Sequence, residues 1–515
     1  MWLIMFTLSY LSSMTSTLNG YITSTFNKNP LASLTSVISY LAGGVIVLPY
    51  AKLIDLWGRP QGFGVMVISY TMGVIMMAGC KGIVTFLVAQ IFYQIGYNGI
   101  NFSMLMFVAD TCSLRNRAFA IAYQSSPFII TTYASGPTSE KIWYGSTGWR
   151  WGYGMWAIIT PVLCFMLWCL YYYNHHQARK QGIASREPSG RTFWQSCGHY
   201  IIEFDIVGVL LIAAGLVLFL LPFNLYEEQP RQWQTPWIIA LIVVGGCLII
   251  IFALYEIFLA PITFIPWGVM KNPTVIFTYT MVAALYVPYE TWYNSIYFTQ
   301  LLQVSFYQSI TNATYIGNIY TVVASFWSLV FGVIVRYFGR TKWHAALFAV
   351  PITILGVGLM IHFRGPSHDV GFLCMCFVFI SVGGGTLVIC EQVNLMAAVP
   401  QRHVAAVLSV ETMISQVGDA IGGAISNAIW LNILPRKLEQ YLPPGSPPFE
   451  QIYGNLPMQL EQKGAVRDAI NRAYSDTHRI PLIVAVCMYV ITLGSVLMWN
   501  DIDVRKMKKQ QDRLF

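Results

Sequence analysis

Fourteen apolar stretches, each long enough to cross a bilayer as a helix, constrain this chain more than any other feature of it. They run over 2–24, 34–54, 62–80, 83–109, 118–139, 151–173, 205–225, 237–259, 274–301, 312–335, 343–363, 370–396, 404–434 and 480–499. In hydrocarbon the backbone must satisfy its own hydrogen bonds, so stretches of this length read as helices. Charged residues supply only 10% of the 515, where a soluble domain carries about 25%. The expected fold class is an all-α polytopic membrane protein. The first stretch starts at Met1 with no tail before it and no basic region of the kind that opens a signal peptide. The chain is therefore expected to lack its natural N-terminus.

Lys and Arg set the orientation. With both termini in the cytoplasm, 18 of the 30 Lys and Arg fall inside, six lie in short outer loops and six in 435–479. The net charge of +8 is thus a topological signal spread over short loops, not a nucleic-acid footprint. No cysteine or histidine spacing spells out a metal site. The adjacent His175 and His176 point apart on a helix, and no nucleophile–base pair is visible, so an enzyme is not expected. No Lys or Arg stands in the middle of any span. A carrier of small anions usually needs such a cation, so the expected cargo is neutral, cationic or wrapped in its own polar shell.

A repeat divides the chain. The segment Ala51–Arg59, with Asp55 and Gly58, recurs 281 residues later as Gly332–Arg340, with Arg336 and Gly339. The same offset carries Asp110 onto Glu391. Duplicated halves mark many secondary transporters. These loops read as a cytoplasmic latch. Gly58 permits the turn, Asp55 and Arg59 pair with neighbouring span ends such as Asp110 and Arg117, and Arg340 pairs with Glu391. Asp205 and Glu203 read as caps on the seventh span.

Acids inside spans are costly, about 2.5–3.5 kcal/mol at mid-helix, and so attract a functional reading. Glu290 lies midway along the ninth span, and Glu411 and Asp419 lie in the thirteenth, about 80° apart on one helix. They are the candidates for proton coupling, with a neutral carboxyl bonded to a neighbouring helix as the plainer alternative. Tyr286, Tyr289, Tyr293 and Asn294 share a face of the ninth span, and Tyr97, Asn98 and Asn101 stand in the fourth, with Tyr123 in the fifth. Phenols and amides at mid-depth can donate to a bulky ligand, although intramembrane amides also hold helices together. Tyr441, Tyr453 and Tyr474 mark the long outer segment 436–479 as a candidate lid or capture surface. Gly418, Gly422 and Gly423 form a seam suited to close helix packing.

The 51–59 and 332–340 loops resemble the signature of the major facilitator superfamily, with Ala51 where that signature has its first glycine. Ala109–Ala118, Ser125–Thr131, Trp149–Gly154, Phe204–Gly208 and the outer run Asn432–Pro443 narrow the likeness to the fungal siderophore–iron transporter family. Asp419 departs from that family's usual small residue. The resemblance implies two six-helix bundles plus two inserted helices. Residues 1–173 would form the first bundle, 174–204 a cytoplasmic linker, 205–260 the inserted pair, 261–499 the second bundle and 500–515 a basic tail. It implies a monomeric, proton-coupled importer of a ferric hydroxamate-type chelate in a plasma or endosomal membrane. The partners would be the chelate and the bilayer, with iron carried only as chelate and no cofactor or directly bound metal. Glutathione–proton exchange, haem import and drug–proton antiport on a fourteen-span plan are the alternatives.

Overall fold

The computed structural model describes residues 1–25, 31–145, 148–181, 193–225, 234–261, 267–293, 296–365, 367–447, 452–453 and 456–506. Among them every regular element is a helix, and the only β-type pairing is a single bridge between Arg340 and Asp503. The first part holds α1 (Trp2–Thr25), α2 (Leu31–Val45), α3 (Val47–Trp57), α4 (Arg59–Gly79), α5 (Ile83–Thr111), α6 (Leu114–Ser125), α7 (Phe128–Tyr144) and α8 (Gly148–Lys180). Next come α9 (Phe193–Glu203), α10 (Ile206–Leu220), α11 (Pro222–Leu225), α12 (Pro236–Phe258) and α13 (Trp267–Met270). The last part holds α14 (Pro273–Pro288), a π-helical segment (Tyr289–Tyr293), α15 (Ile296–Ser305), α16 (Ile310–Phe338), α17 (Thr341–His344), a second π segment (Ala345–Ala349) and α18 (Val350–Phe363). It closes with α19 (Val370–Ala398), α20 (Val404–Tyr441), α21 (Leu456–Glu461) and α22 (Ala465–Leu497).

Ten of the described helical stretches are long and apolar enough to cross a membrane. The remaining four expected spans fall on α1, on the pair α6–α7, on α10, and on α14 with its π segment and α15. Local chemistry explains the breaks. Pro127 interrupts α6–α7, and Pro288, which lacks an N–H, ends α14 where the π register begins. Side-chain caps start several helices. Asn272 accepts from the Thr274 amide at 3.0 Å, Asp369 from Gly371 at 2.9 Å and Asp205 from Gly208 at 3.2 Å. Asp205 thus caps α10 as its sequence suggests.

The packing repeats. In the first part α1 packs on α7 and α8, α2 on α5, and α4 on α5 and α8. In the last part α14 packs on α20 and α22, α16 on α19, and α18 on α19 and α22. The two sets are the same contacts shifted by eight spans. Contacts between the parts obey the same rule, because α2 and α3 against α20 correspond to α16 against α6 and α7. A pseudo-twofold arrangement meets this pattern. Small residues set the close pairs: a Cβ on Gly73 or Gly96 would strike the facing backbone of α5 or α4, and Gly356 and Gly383 play that part between α18 and α19. The inserted helices α10 and α12 pair with each other. Ile212, Leu216 and Leu220 of α10 bury against Leu41, Val45 and Ala420, beside the α2–α20 contact.

The segment placed at 436–479 is largely helical, since α20 runs on to Tyr441, α21 covers Leu456–Glu461 and α22 begins at Ala465. Charged residues excluded these stretches from the apolar spans, yet a helix continues past the apolar boundary wherever its backbone bonds persist, and Pro435 and Pro481 are accommodated inside. The latch pairing in the last part differs from the expected one, as described below.

Candidate functional site

The buried acids of the last part fall into two pairs. Glu290 lies in the π segment, buried, and Asp419 of α20 lies within electrostatic reach of it. The glycine seam of α20 makes this approach geometrically feasible. A Cβ on Gly422 would meet the Val287 carbonyl and sit 2.9 Å from the Glu290 Cβ, and one on Gly418 would lie 3.1 Å from the Tyr286 Cβ. Thr291 ties the segment down by donating to the Val287 carbonyl at 2.7 Å and to the Gly422 carbonyl at 3.2 Å. π turns widen the helix by one residue and aim a side chain that a regular helix would direct elsewhere. Glu411 does not share this company. Eight residues earlier on α20, it faces Glu391 of α19, and both are buried.

Beside the acids stands an aromatic cluster. Tyr289 and Tyr293 lie 5.1 Å apart, and each contacts Tyr320 of α16, at 5.3 and 4.8 Å between ring centroids. The Tyr293 hydroxyl donates to the Gly317 carbonyl at 2.7 Å. Tyr320 is the residue sequence reasoning missed. Its signal was the Gly383–Gly384–Gly385 run in α19, because the Tyr320 hydroxyl occupies the space a Gly384 Cβ would fill. Tyr286 faces Glu391, Glu411, Asp419 and Tyr320. Asn294 lies outside the described residues.

The amides of α5 make neutral contacts. The Asn98 side chain of α5 donates to Gln416 of α20 at 3.2 Å, and Asn101 donates back to the Tyr97 carbonyl at 3.2 Å. Tyr97 stacks on Tyr93, with centroids 5.9 Å apart. Asn98 therefore joins the two parts of the molecule at the level of the α20 acids. Tyr123 is 46% exposed on α6 and stands apart from this group.

At one end, here called the basic end, the parts are held by charged groups. Arg59 binds Asp55 at 2.8 Å and Asp110 at 3.1 Å, so the expected latch forms in the first part. Arg117 is buried but does not pair with a carboxylate. It donates to the Ala109 carbonyl, to the Cys112 carbonyl at 3.2 Å and to Gln401 at 2.9 Å. Gln401 in turn donates to Asp110 at 3.4 Å, and Arg115 donates to the Arg336 carbonyl at 3.0 Å, so both bonds cross between the parts. Gly58 has φ 103° and Gly339 has φ 74°, so both repeat loops turn through backbone that favours glycine. The expected pairing of Arg340 with Glu391 is absent. Arg340 is exposed and pairs with Asp501 of the chain's end at 3.6 Å, while Glu391 is fully buried in α19. The tail makes this possible by clipping onto the loop: Val504 donates to the Gly339 carbonyl at 3.0 Å, and Arg505 donates to the Tyr337 carbonyl at 2.9 Å.

Tyr441, Tyr453 and Tyr474 serve the packing of the 436–479 segment itself. Tyr474 is buried against Trp430 and donates to Gln459 at 2.9 Å, and Tyr441 donates to Asp476 at 2.8 Å under the Arg472 guanidinium. Tyr453 is half-buried, and its carbonyl accepts from Gln459 at 3.4 Å.

A family model described as Major Facilitator Superfamily matches residues 1–423. The chain is 44% identical over 511 residues to "MFS siderochrome iron transporter 1" of Ajellomyces capsulatus, covering 99% of this chain and 86% of that protein. It is 39% identical to "MFS siderochrome iron transporter D" of Aspergillus fumigatus, covering 98% and 84%. It is 34% identical to "Siderophore iron transporter mirB" of Emericella nidulans, covering 100% and 85%. In fold it is similar to a bacterial homologue of the iron transporter ferroportin, with a TM-score of 0.57 at 9% identity, covering 97% of this chain and 98% of that one. The human organic anion transporter MFSD10 gives a TM-score of 0.53 at 10% identity, covering 94% and 96%.

Proposed function

Because the chain belongs to the major facilitator superfamily, among relatives of the fungal siderochrome iron transporters, we propose that it imports a ferric siderophore by proton-coupled alternating access. The observation that carries this reading is full-length identity of up to 44% to proteins named for that cargo. The site supports it. A ferric hydroxamate chelate presents carbonyl and amide oxygens around a buried metal. Tyr286, Tyr289, Tyr293 and Tyr320 offer ring faces and donors on one side, and Asn98 and Asn101 offer amides on the other. No fixed cation is needed, because the chelate carries its own shell.

Coupling falls to the acids. Glu290 and Asp419 would take a proton from the outside, and the loaded unit would rock so that the site opens inward. Each proton moved inward gains about 2.3 kcal/mol per 100 mV. The basic end is taken as cytoplasmic, by its arginines. Breaking the Arg59 and Gln401 bonds would accompany opening there. The two six-helix units are the moving bodies, with 205–260 inserted between them, and the protein works as a monomer in a plasma or endosomal membrane.

Yeast lacking its own chelate uptake tests the reading. Expression should bring radio-iron in from at least one member of a hydroxamate panel, and an uncoupler should stop it. Uptake of no chelate alongside proton-driven glutathione efflux would replace this reading with the exchanger one.

A further inference from the structure

Glu391 has no structural duty of the usual kind. Its repeat counterpart Asp110 is bound to Arg59, but Arg340 is taken by Asp501, and Glu391 is withdrawn into α19 with 0% exposure. Neither of its carboxylate oxygens completes a well-formed hydrogen bond with an N–H or O–H of the described residues, and the donor that comes near is the Tyr286 hydroxyl. The group it meets is another carboxyl. Glu411 of α20, 3% exposed, lies within hydrogen-bonding range of it.

The other titratable groups facing the pair are few. Tyr286 and Tyr279 face it from α14, Tyr320 from α16 and Cys390 from α19 itself. Thr412 donates weakly to Glu411 at 3.5 Å. Among the described residues no Lys, Arg or His makes an ion pair with either acid. Two carboxylates with no cation in a low-dielectric interior cannot both carry charge, whereas one proton between them satisfies both.

We propose that Glu391 and Glu411 share one proton and form a second protonation site, one step nearer the basic end than Glu290 and Asp419. Glu411 precedes Asp419 by eight residues, about 12 Å along α20. The Tyr286 hydroxyl comes within hydrogen-bonding reach of Glu391 and within electrostatic reach of Glu411 and Asp419, so it touches the inner pair and senses one acid of the outer pair. Beyond Glu391, Asn394 lies one turn further along α19 and meets Thr341 beside Arg340, at 2.6 Å. The acids thus form a series from mid-depth to the clipped loop. A proton arriving on the outer pair passes through Tyr286 to the inner pair, and from there leaves past Asn394 when the basic end opens. The direction of that transfer rests on the proposed import, but the shared proton does not.

Infrared difference spectra of the full chain in lipid nanodiscs, stepped from an acidic to an alkaline bath without any cargo, test the shared proton. Glu391→Gln and Glu411→Gln should each alter the same protonated-carboxyl band, with the double variant adding nothing further. Independent, additive changes, no change, or a band that responds to sodium rather than to pH would overturn it. Glu391→Asp, which keeps the acid, should restore the band and so guards against a folding artefact.

In proteoliposomes with labelled ferrichrome and about 100 mV, loss of one coupled proton lowers the accumulation ratio about fiftyfold, while counterflow exchange persists. Full accumulation by both glutamine variants would overturn the relay. If the wild type moves no chelate, the import reading fails and the spectra still decide the pair.

Discussion

The same place in the two halves of the repeat is filled by hydroxyls in one and by carboxyls in the other. Where α1 meets α7, Thr131 donates to Ser9 at 3.0 Å, and Tyr10 and Thr138 lie 2.6 Å apart. The repeat offset of 281 carries Ser9 onto Glu290 and Thr138 onto Asp419, where α14 and the π segment meet α20. The contrast extends to the basic end. Asp110 is committed to Arg59, but its counterpart Glu391 is released from Arg340 by the chain's own tail. Duplication has therefore left one half with neutral hydrogen bonds and a charged latch, and the other with buried acids and a clipped loop. The first half thus presents hydroxyls at positions where the second presents carboxyls.

The largest expected effect breaks the contrast at mid-depth. Glu290→Gln should lower proton-driven accumulation about fiftyfold at about 100 mV, with counterflow retained. Ser9→Ala and Thr138→Ala should keep accumulation and cost about 1 kcal/mol each for a lost neutral hydrogen bond, read by thermal unfolding. Equal effects in the two halves would erase the distinction.

The latches come next. Arg59→Ala leaves Asp55 and Asp110 without their cation and should cost about 1 kcal/mol, the upper end for partly exposed pairs. It should also raise the labelling of a cysteine placed at the basic end. Arg340→Ala should cost less than about 0.5 kcal/mol and leave that labelling unchanged.

The turns sharpen the contrast further. Gly58 has φ 103° and ψ 157°, a region closed to other residues, so Gly58→Ala should cost about 2 kcal/mol whether or not the tail is present. Gly339 has φ 74° and ψ −12°, a milder left-handed geometry, but a Cβ there would strike Asp503 and Arg505. Its cost should fall to about 1 kcal/mol when the chain is truncated after Asn500. Melting curves of the four combinations decide this.

The smallest effect concerns pH. Arg505 holds the Asp503 carboxyl down at about 2 through their hydrogen bonds. A carboxyl lowered in the folded state adds stability above its unfolded value of about 3.9, and that contribution is lost only as pH falls through the folded value. Truncating the tail should therefore shift Tm by the same small amount at neutral pH and in a mildly acidic bath. A shift that changes between the two would mean that another group holds the clip.

Much of this was legible in the residues. Low charge and apolar length gave the helices, the 281-residue offset gave the repeat, and the rarity of intramembrane acids singled out Glu290, Glu411 and Asp419. Three things were not. Periodicity assumes a regular helix, so it could not show that Pro288 hands over to a π turn that re-aims Glu290. The offset paired Arg340 with Glu391 by analogy with Arg59 and Asp110, but a competing partner, Asp501, lies far along the chain. Tyr320 looked like one of many aromatics until the glycine run facing it was seen to make room for its ring.

The most direct measurement of the central claim is a pH trace of proteoliposomes that hold the full chain, with labelled ferrichrome added outside and no gradient imposed. The account predicts that protons enter with the chelate, so the outer medium turns alkaline in step with radio-iron uptake, and that Glu290→Gln abolishes the pH change while exchange of chelate continues. Chelate entry with no proton movement, or proton movement that Glu290→Gln leaves intact, would contradict it.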